Sequence, residues 1–251
     1  MANNAELKMQ MGKLKPYKRN FEYSYTLGAF TTIEMINTRP EIVKAVYVHS
    51  KYSDRASIED LCNSKSIAIV YDDKLFNRIT QKENSFIIGV FEKYACTLSE
   101  DKPHIVLVNP SDMGNLGTII RTMVGLNFKD LAIISPAADL YDPKAIRASM
   151  GALFHINFCE FSSFGAYRQV FSQHNCFPFL VNGKLAIRHD SCPEVSLFSL
   201  VFGNEATGLG EEFESIGIGV KIPFLPVIDS FNLAVAAGIG MFEFACRNRM
   251  V

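Results

Sequence analysis

The sequence predicts an α/β protein in two units, the second built on a mainly parallel sheet. Three observations lead there. From Tyr25 to the C-terminus, short runs rich in Val, Ile and Phe alternate with longer amphipathic segments, the pattern of strands joined by crossover helices. A polar stretch at 97–103, TLSEDKP, interrupts the alternation and carries a proline just ahead of a new apolar run, as a linker does. The 251 residues are 48% hydrophobic, which suffices for two modest cores.

In the first unit, taken as 21–96, residues 27–37 read as a helix with Leu27, Phe30, Ile33 and Ile36 inward, and 43–49 as a valine-rich strand. A helix at 57–62, a buried strand at 66–70, a helix at 72–79 and a strand at 86–91 complete a small α/β unit. In the second unit, 103–251, strands are expected at 105–108, 130–134, 154–158, 177–181, 197–202 and 217–222. Helices are expected at 115–126, 143–150, 164–174, 208–215 and 230–246. Along the first of these, Leu116, Ile119, Ile120, Met123 and Val124 form one apolar stripe, and Arg121 lies off it. The last helix is nearly apolar all round from Leu233 to Ala245, with Gly238 and Gly240 permitting close approach. Such a helix is buried on every side, within its own domain or against a partner chain.

The net charge of −1 does not mark a nucleic-acid binder, but the charge is unevenly placed. An arm at 1–20 carries Lys8, Lys13, Lys15, Lys18 and Arg19 against Glu6 alone. It suits a phosphate backbone, or it is a solvated terminus. Met1 to Gln10 has no apolar core, and the apolar run of the last helix is too short, and too near Glu243, to span a bilayer. A cytoplasmic protein is expected. The six cysteines form no CxxC pair, which in that compartment argues for reduced thiols. His155/Cys159, His174/Cys176 and His189/Cys192 crowd one region, but their spacings match no common structural zinc pattern, and no metal is expected.

Three segments carry the chemistry: NPSDMGNLGTIIRT at 109–122, FGNEATGLG at 202–210 and IPFLPVIDSFNLAVAA at 222–237. Each follows a predicted strand, and ligands of open parallel sheets gather at strand carboxyl ends. In the first, Asn115 opens a helix, Gly114 and Gly117 allow close backbone approach, and Arg121 leans back toward the helix start. Read as structure alone, these are an N-cap and a surface arginine. The second begins like a phosphate-binding loop, yet Glu211 stands where its lysine would follow. The dinucleotide fingerprint is absent, and Gly217-Ile-Gly219 precedes a strand rather than a helix. An adenosine without phosphates fits better, held by backbone groups and sandwiched by Leu209 and Ile222; the plain alternative is a tight turn or a helix cap. In the third, Ser230 is a good N-cap for the last helix. Between them lies RASMGA at 147–152, whose glycine suits a C-cap and whose Arg147 and Ser149 are further candidates for the ligand mouth.

In this order, Asn115, Gly117 and Arg121, the RASMGA segment, the FGNEATGLG loop and the IP…SFN segment resemble the signature motifs of the SpoU/TrmH branch of the SPOUT superfamily, RNA ribose 2'-O-methyltransferases that use S-adenosylmethionine. The resemblance covers about 103–251; residues 21–95 look like the RNA substrate-binding domain, related to ribosomal proteins, that precedes it in many members. It implies a catalytic domain whose C-terminal chain forms a trefoil knot, and a homodimer with the knot region at its interface. By position, Phe202, Gly203, Asn204, Gly208, Leu209, Ile222, Pro223, Ser230 and Leu233 would surround S-adenosylmethionine, with Glu205 shared. Asn115, Arg121, Glu205, Ser230 and Asn232 would form the catalytic pocket. The family's His-Gln-Gly step is not present around Glu83 to Phe86, Pro226 stands where glycine is usual, and Ala234 where serine or threonine is frequent. The implied substrate is structured RNA; the added N-terminal domain favours ribosomal RNA, and a transfer RNA ribose methyltransferase is the alternative. The competing reading is a non-catalytic RNA-binding or ribosome-assembly factor on the same fold; a nucleotide-dependent oxidoreductase is disfavoured by the missing fingerprint.

Overall fold

The computed structural model describes residues 14–80, 85–188 and 190–251. Lys8 and Lys13 of the basic arm, Glu83 and His189 lie outside the described residues. In chain order the elements are β1 (Tyr23–Leu27), α1 (Ala29–Thr38), β2 (Val43–Val48), α2 (Arg55–Ser64), β3 (Ile69–Tyr71), α3 (Asp73–Ile79) and β4 (Ile87–Glu92). They continue with β5 (His104–Val108), α4 (Met113–Gly125), β6 (Asp130–Ile134), α5 (Pro143–Ala148), β7 (Asn157–Phe161), α6 (Phe164–Val170) and β8 (Asn175–Pro178). The last are β9 (Leu185–Ala186), β10 (Phe198–Phe202), β11 (Val220–Lys221) and α7 (Leu233–Arg247). The described chain divides into two compact units, one running to Tyr94 together with Asp139–Phe154, the other made of Ala95–Ala138 and His155–Val251.

The first unit holds a four-stranded sheet in the order β1-β4-β2-β3. Only β2 and β3 run parallel; β4 is antiparallel to both of its neighbours. Successive residues of β2 feed opposite faces: Ala45 and Tyr47 join Tyr25, Phe76 and Val90, whereas Val46 and Val48 join Ile36, Ile58 and Ile87. A strand buried on both faces reads as a continuous apolar run. β1 was not expected from the sequence, because its YSYTL reads as polar; Ser24 and Thr26 are nevertheless fully buried. The Thr26 hydroxyl is satisfied by Thr32 Oγ1 at 2.8 Å and by the Gly89 amide at 3.1 Å.

The second unit holds a five-stranded sheet in the order β7-β6-β5-β10-β8, parallel throughout. On one face Tyr167 of α6 and Phe171 just beyond its end pack onto Val106, Ala132, Ile134 and Val201. The α4 stripe Leu116, Ile119, Ile120 and Met123 is buried, and α4 packs against α7. Several expected boundaries move. The strand expected at 154–158 begins only at Asn157, because Gly151 at φ 83° turns the chain into a short 3-10 turn, Ala152–His155. The helix expected at 164–174 stops at Val170, where the Arg168 guanidinium folds back onto the carbonyls of Phe171, Ser172 and His174. The one expected at 208–215 is a 3-10 turn, Glu211–Ser215, and the strand expected at 217–222 keeps only Val220 and Lys221. Ser149 is buried with its hydroxyl on the Ile146 carbonyl at 2.8 Å, so it serves the end of α5 and offers no surface to a ligand. No helix among the described residues is long and apolar enough to cross a membrane. Among the same residues, no group of three or more His, Cys, Asp or Glu is placed to hold a metal ion.

At the amino end of the parallel sheet sits a buried polar chain. His104 Nε2 lies 2.8 Å from the Ser99 carbonyl and so carries the proton, which leaves Nδ1 to accept from the Tyr167 hydroxyl at 2.9 Å. Tyr167 Oη in turn lies 2.6 Å from Ser199 Oγ, which is 2.9 Å from His174 Nδ1. Burial, partly offset by the Ser99 carbonyl and Asp130, pushes His104 down to about 4. Burial and the nearby Arg168 lower His174 as well, against Asp130. Between the unfolded value near 6.5 and the folded value the unfolded chain binds more protons, so stability should be full above that range and fall as pH drops through it. The His104 contribution is roughly 3 kcal/mol. Urea unfolding at pH 7.5 and pH 5 checks this, and His104→Gln should flatten the difference.

Candidate active site

β5 and β10 are neighbours at the centre of the parallel sheet, with β6 and β7 laid down to one side and β8 to the other. The crevice beyond their carboxyl ends is where such a sheet offers a ligand site. Two loops meet there, Asn109–Asp112 after β5 and Gly203–Gly208 after β10. Glu205 ties them together: Oε2 accepts from the Ser111 amide at 3.0 Å and its hydroxyl at 2.7 Å, and Oε1 from the Asp112 amide at 3.0 Å and Asn115 Nδ2 at 3.3 Å. Burial pushes the Glu205 carboxyl up, but the bonds from Ser111 and Asp112 outweigh it and hold the group below the usual carboxylate range. It is an anion at neutral pH. Asn204 does similar work, donating to the Asn109 carbonyl at 2.7 Å and accepting from the Ala206 and Thr207 amides at 2.9 and 3.3 Å. Asn204 and Gly208 exchange both backbone bonds, and Gly208 sits at φ 67°, where a side chain is strained.

The third segment arrives through Asn232. Its Oδ1 caps α7 by accepting from the Ala234 and Val235 amides at 2.9 and 3.4 Å, while its Nδ2 donates to Asn115 Oδ1 at 3.0 Å. Asn232, not Ser230, is therefore the N-cap, and the helix starts at Leu233. The same shift occurs on α4: Asp112 is the cap, accepting from the Asn115 amide at 2.7 Å, which frees the Asn115 side chain to bridge Glu205 and Asn232. Glu205, Asn115 and Asn232 form one hydrogen-bonded chain across three segments. Arg121 is exposed further along α4 and makes no hydrogen bond or ion pair among the described residues.

Beside this chain lies a cavity of about 300 Å³. Of the expected cofactor residues, Phe202, Gly203, Asn204, Gly208, Ile222, Ser230 and Leu233 line it, together with Glu205. Leu209 instead packs with Phe213, and Pro223 is exposed; neither lines the cavity. Phe179, Leu180 and Val181 form a wall that the sequence reading missed, although they directly follow β8 at the same sheet edge. Phe179 stacks on Phe202 at 4.4 Å, and Gly240 of α7 leaves room for its ring. Among the described residues, the lining holds the carboxylates of Glu205 and Asp229 and no lysine or arginine. It suits an aromatic nucleoside with a cationic arm and disfavours a phosphate. Glu205→Gln should weaken the clamp by about 2 kcal/mol, since hydrogen bonds to a charged group exceed neutral ones. Urea unfolding of the variant should read that loss as a lower midpoint with an unchanged slope.

A sequence profile of the SpoU rRNA Methylase family matches residues 102–242, over half of the chain. A 23S rRNA (uridine(2479)-2'-O)-methyltransferase of Streptomyces viridochromogenes is 31% identical over 160 residues, in an alignment that takes in 60% of this chain and 54% of that protein; the chain thus spans about half the length of this relative. The 23S rRNA (guanosine(2553)-2'-O)-methyltransferase RlmP of Bacillus subtilis is 24% identical over 210 residues, 81% of each chain. The crystal structure of the SpoU methyltransferase AviRb from Streptomyces viridochromogenes in complex with the cofactor AdoMet shares the fold, with a TM-score of 0.77, 21% identity and 98% of each chain covered. The chain belongs to the SpoU rRNA Methylase family.

Proposed function

We propose that this protein transfers a methyl group from S-adenosylmethionine to a ribose 2'-hydroxyl of structured RNA, with ribosomal RNA as its substrate class. The observation that carries the reading is the hydrogen-bonded chain Glu205–Asn115–Asn232 beside a phosphate-excluding cavity. The family membership and the ribosomal RNA specificity named for its relatives support it. S-adenosylmethionine, when bound, supplies a methyl on a sulfonium cation. The residues around it then have to place the acceptor oxygen in line and hold water away, and positioning of this kind accounts for most of the acceleration expected. Glu205 and Asp229 give the cavity a negative field that suits a sulfonium. The amide and carbonyl of Asn115 are both engaged, by Glu205 and Asn232, so its orientation is fixed. Arg121 is assigned to an RNA phosphate and to the developing alkoxide; a guanidinium holds its proton too tightly to act as the base.

The first unit, residues 21–96 in the sequence reading, is assigned to RNA binding, and a knotted path for the C-terminal chain and a reduced cytoplasmic setting belong to the same proposal. All six cysteines are free thiols, consistent with that setting. The active form is assigned as a homodimer. The face of α7 away from its own sheet leaves Val235 48% and Phe242 53% exposed, with Ile239 between them on the same stripe. Phe242→Asp should convert a dimer into a folded monomer, read by light scattering; a wild-type monomer would remove this assignment. The activity itself is tested by tritium transfer from labelled cofactor to fractionated RNA, with mapping of the modified nucleotide. Label in ribosomal RNA as a 2'-O-methyl nucleotide is expected. Label confined to transfer RNA would move the substrate, and absence of both transfer and cofactor binding would favour the RNA-binding factor.

A further inference from the structure

At the same carboxyl edge a second recess, of about 550 Å³, opens on the β5-β6-β7 side of the sheet. Asn109 and Ser135 sit at the ends of β5 and β6, Ser162 and Phe164 follow β7, and Glu212 and Phe213 follow the glycine-rich loop. A hydrogen bond joins the walls of the recess and the cavity: Asn109 lines the first, Asn204 lines the second, and the Asn204 amide donates to the Asn109 carbonyl at 2.7 Å.

Its chemistry is that of a base site rather than a phosphate site. Among the described residues the one cation on its wall is Arg168, and it is committed to three carbonyls at 2.9, 2.9 and 3.0 Å. The Glu212 carboxylate is exposed and would repel a phosphate. Phe164 and Phe213, with centroids 4.9 Å apart, supply aromatic walls. The Ser162 hydroxyl has no hydrogen bond among the described residues and is exposed. Single-stranded RNA is recognised by stacking splayed bases on such rings and pairing their edges with acceptors.

We propose that this recess seats one nucleobase of the RNA strand being methylated, stacked on Phe164, with its N–H edge read by Glu212 and Ser162. The inference rests on the methyl-transfer reading, and its test separates the two. Unmodified large-subunit ribosomal RNA transcript is titrated by filter binding against wild type, Ser162→Trp, which fills the recess, and Glu212→Lys, whose exposed side chain leaves the fold intact. Calorimetry with S-adenosylmethionine alone runs in parallel. RNA affinity should fall about tenfold in each variant, the loss of one stacked base, with cofactor affinity unchanged. Unaltered RNA affinity in Ser162→Trp, or tighter binding by Glu212→Lys as a phosphate site would give, overturns the proposal. If wild type bound RNA but no cofactor, the methyl-transfer reading would fail, and the two variants would still decide what the recess holds.

Discussion

Replacing Gly203 by alanine is expected to abolish S-adenosylmethionine binding. A Cβ built at Gly203 would stand 2.2 Å from the Gly208 carbonyl carbon and 2.4 Å from both the Gly208 oxygen and the Leu209 nitrogen. All three are backbone atoms, so no rotamer change relieves the overlap. The loop must open, and opening breaks the paired bonds between Asn204 and Gly208 at 3.1 and 2.9 Å that shape one wall of the cavity. A loss of about 2 kcal/mol of stability should accompany it, as for other overpacked sites. Calorimetric titration should find affinity reduced more than a hundredfold, with a lowered melting temperature. Gly125→Ala serves as a control, because a Cβ there meets nothing within 4 Å. Normal cofactor affinity in Gly203→Ala would mean that the loop is not the cofactor wall.

Arg121→Ala is expected to lose methyl transfer by about a thousandfold while binding cofactor as well as wild type, the range seen when one preorganised electrostatic donor is removed. The separation of the two effects follows from placement. Arg121 is exposed and absent from the cavity lining, so it has no means of holding the cofactor. It lies six residues beyond Asn115, about 9 Å along the helix axis, and its long side chain leans toward the helix start where RNA would approach. Arg121→Lys should recover part of the rate, since a point charge satisfies a phosphate less well than a planar fork. Full turnover by Arg121→Ala would remove the assignment.

The parallel sheet was legible because its strands carry a strong signal: buried on both faces, they read as unbroken apolar runs such as IVLV and LAII. β1 was not, since its buried polar side chains depend on partners elsewhere in the chain, Thr26 on Thr32 and Gly89 and Ser24 on the Tyr141 carbonyl, which no local pattern reveals. Of the site, the glycine loop and Glu205 were visible as a motif, and Asn115 and Asn232 were each named for the pocket, but not the bond between them. What the sequence misplaced is the caps. Ser230 and Asn115 are both good N-cap residues, but Asn232 and Asp112 take those positions. One consequence is functional: with Asp112 capping α4, Asn115 is released to join Glu205 to Asn232. Ser111 gave no signal, because its part is to lend a backbone amide and a hydroxyl to a glutamate 94 residues away.

The proposed transfer requires three distant segments to meet around one adenosyl group. A crystal structure with S-adenosylmethionine bound tests this directly. It should place the adenosyl group between the Gly203–Gly208 loop, Ile222 and Leu233, with the methyl directed toward Glu205 and Asn232. Cofactor density elsewhere on the chain, with this cavity filled only by water, would contradict it.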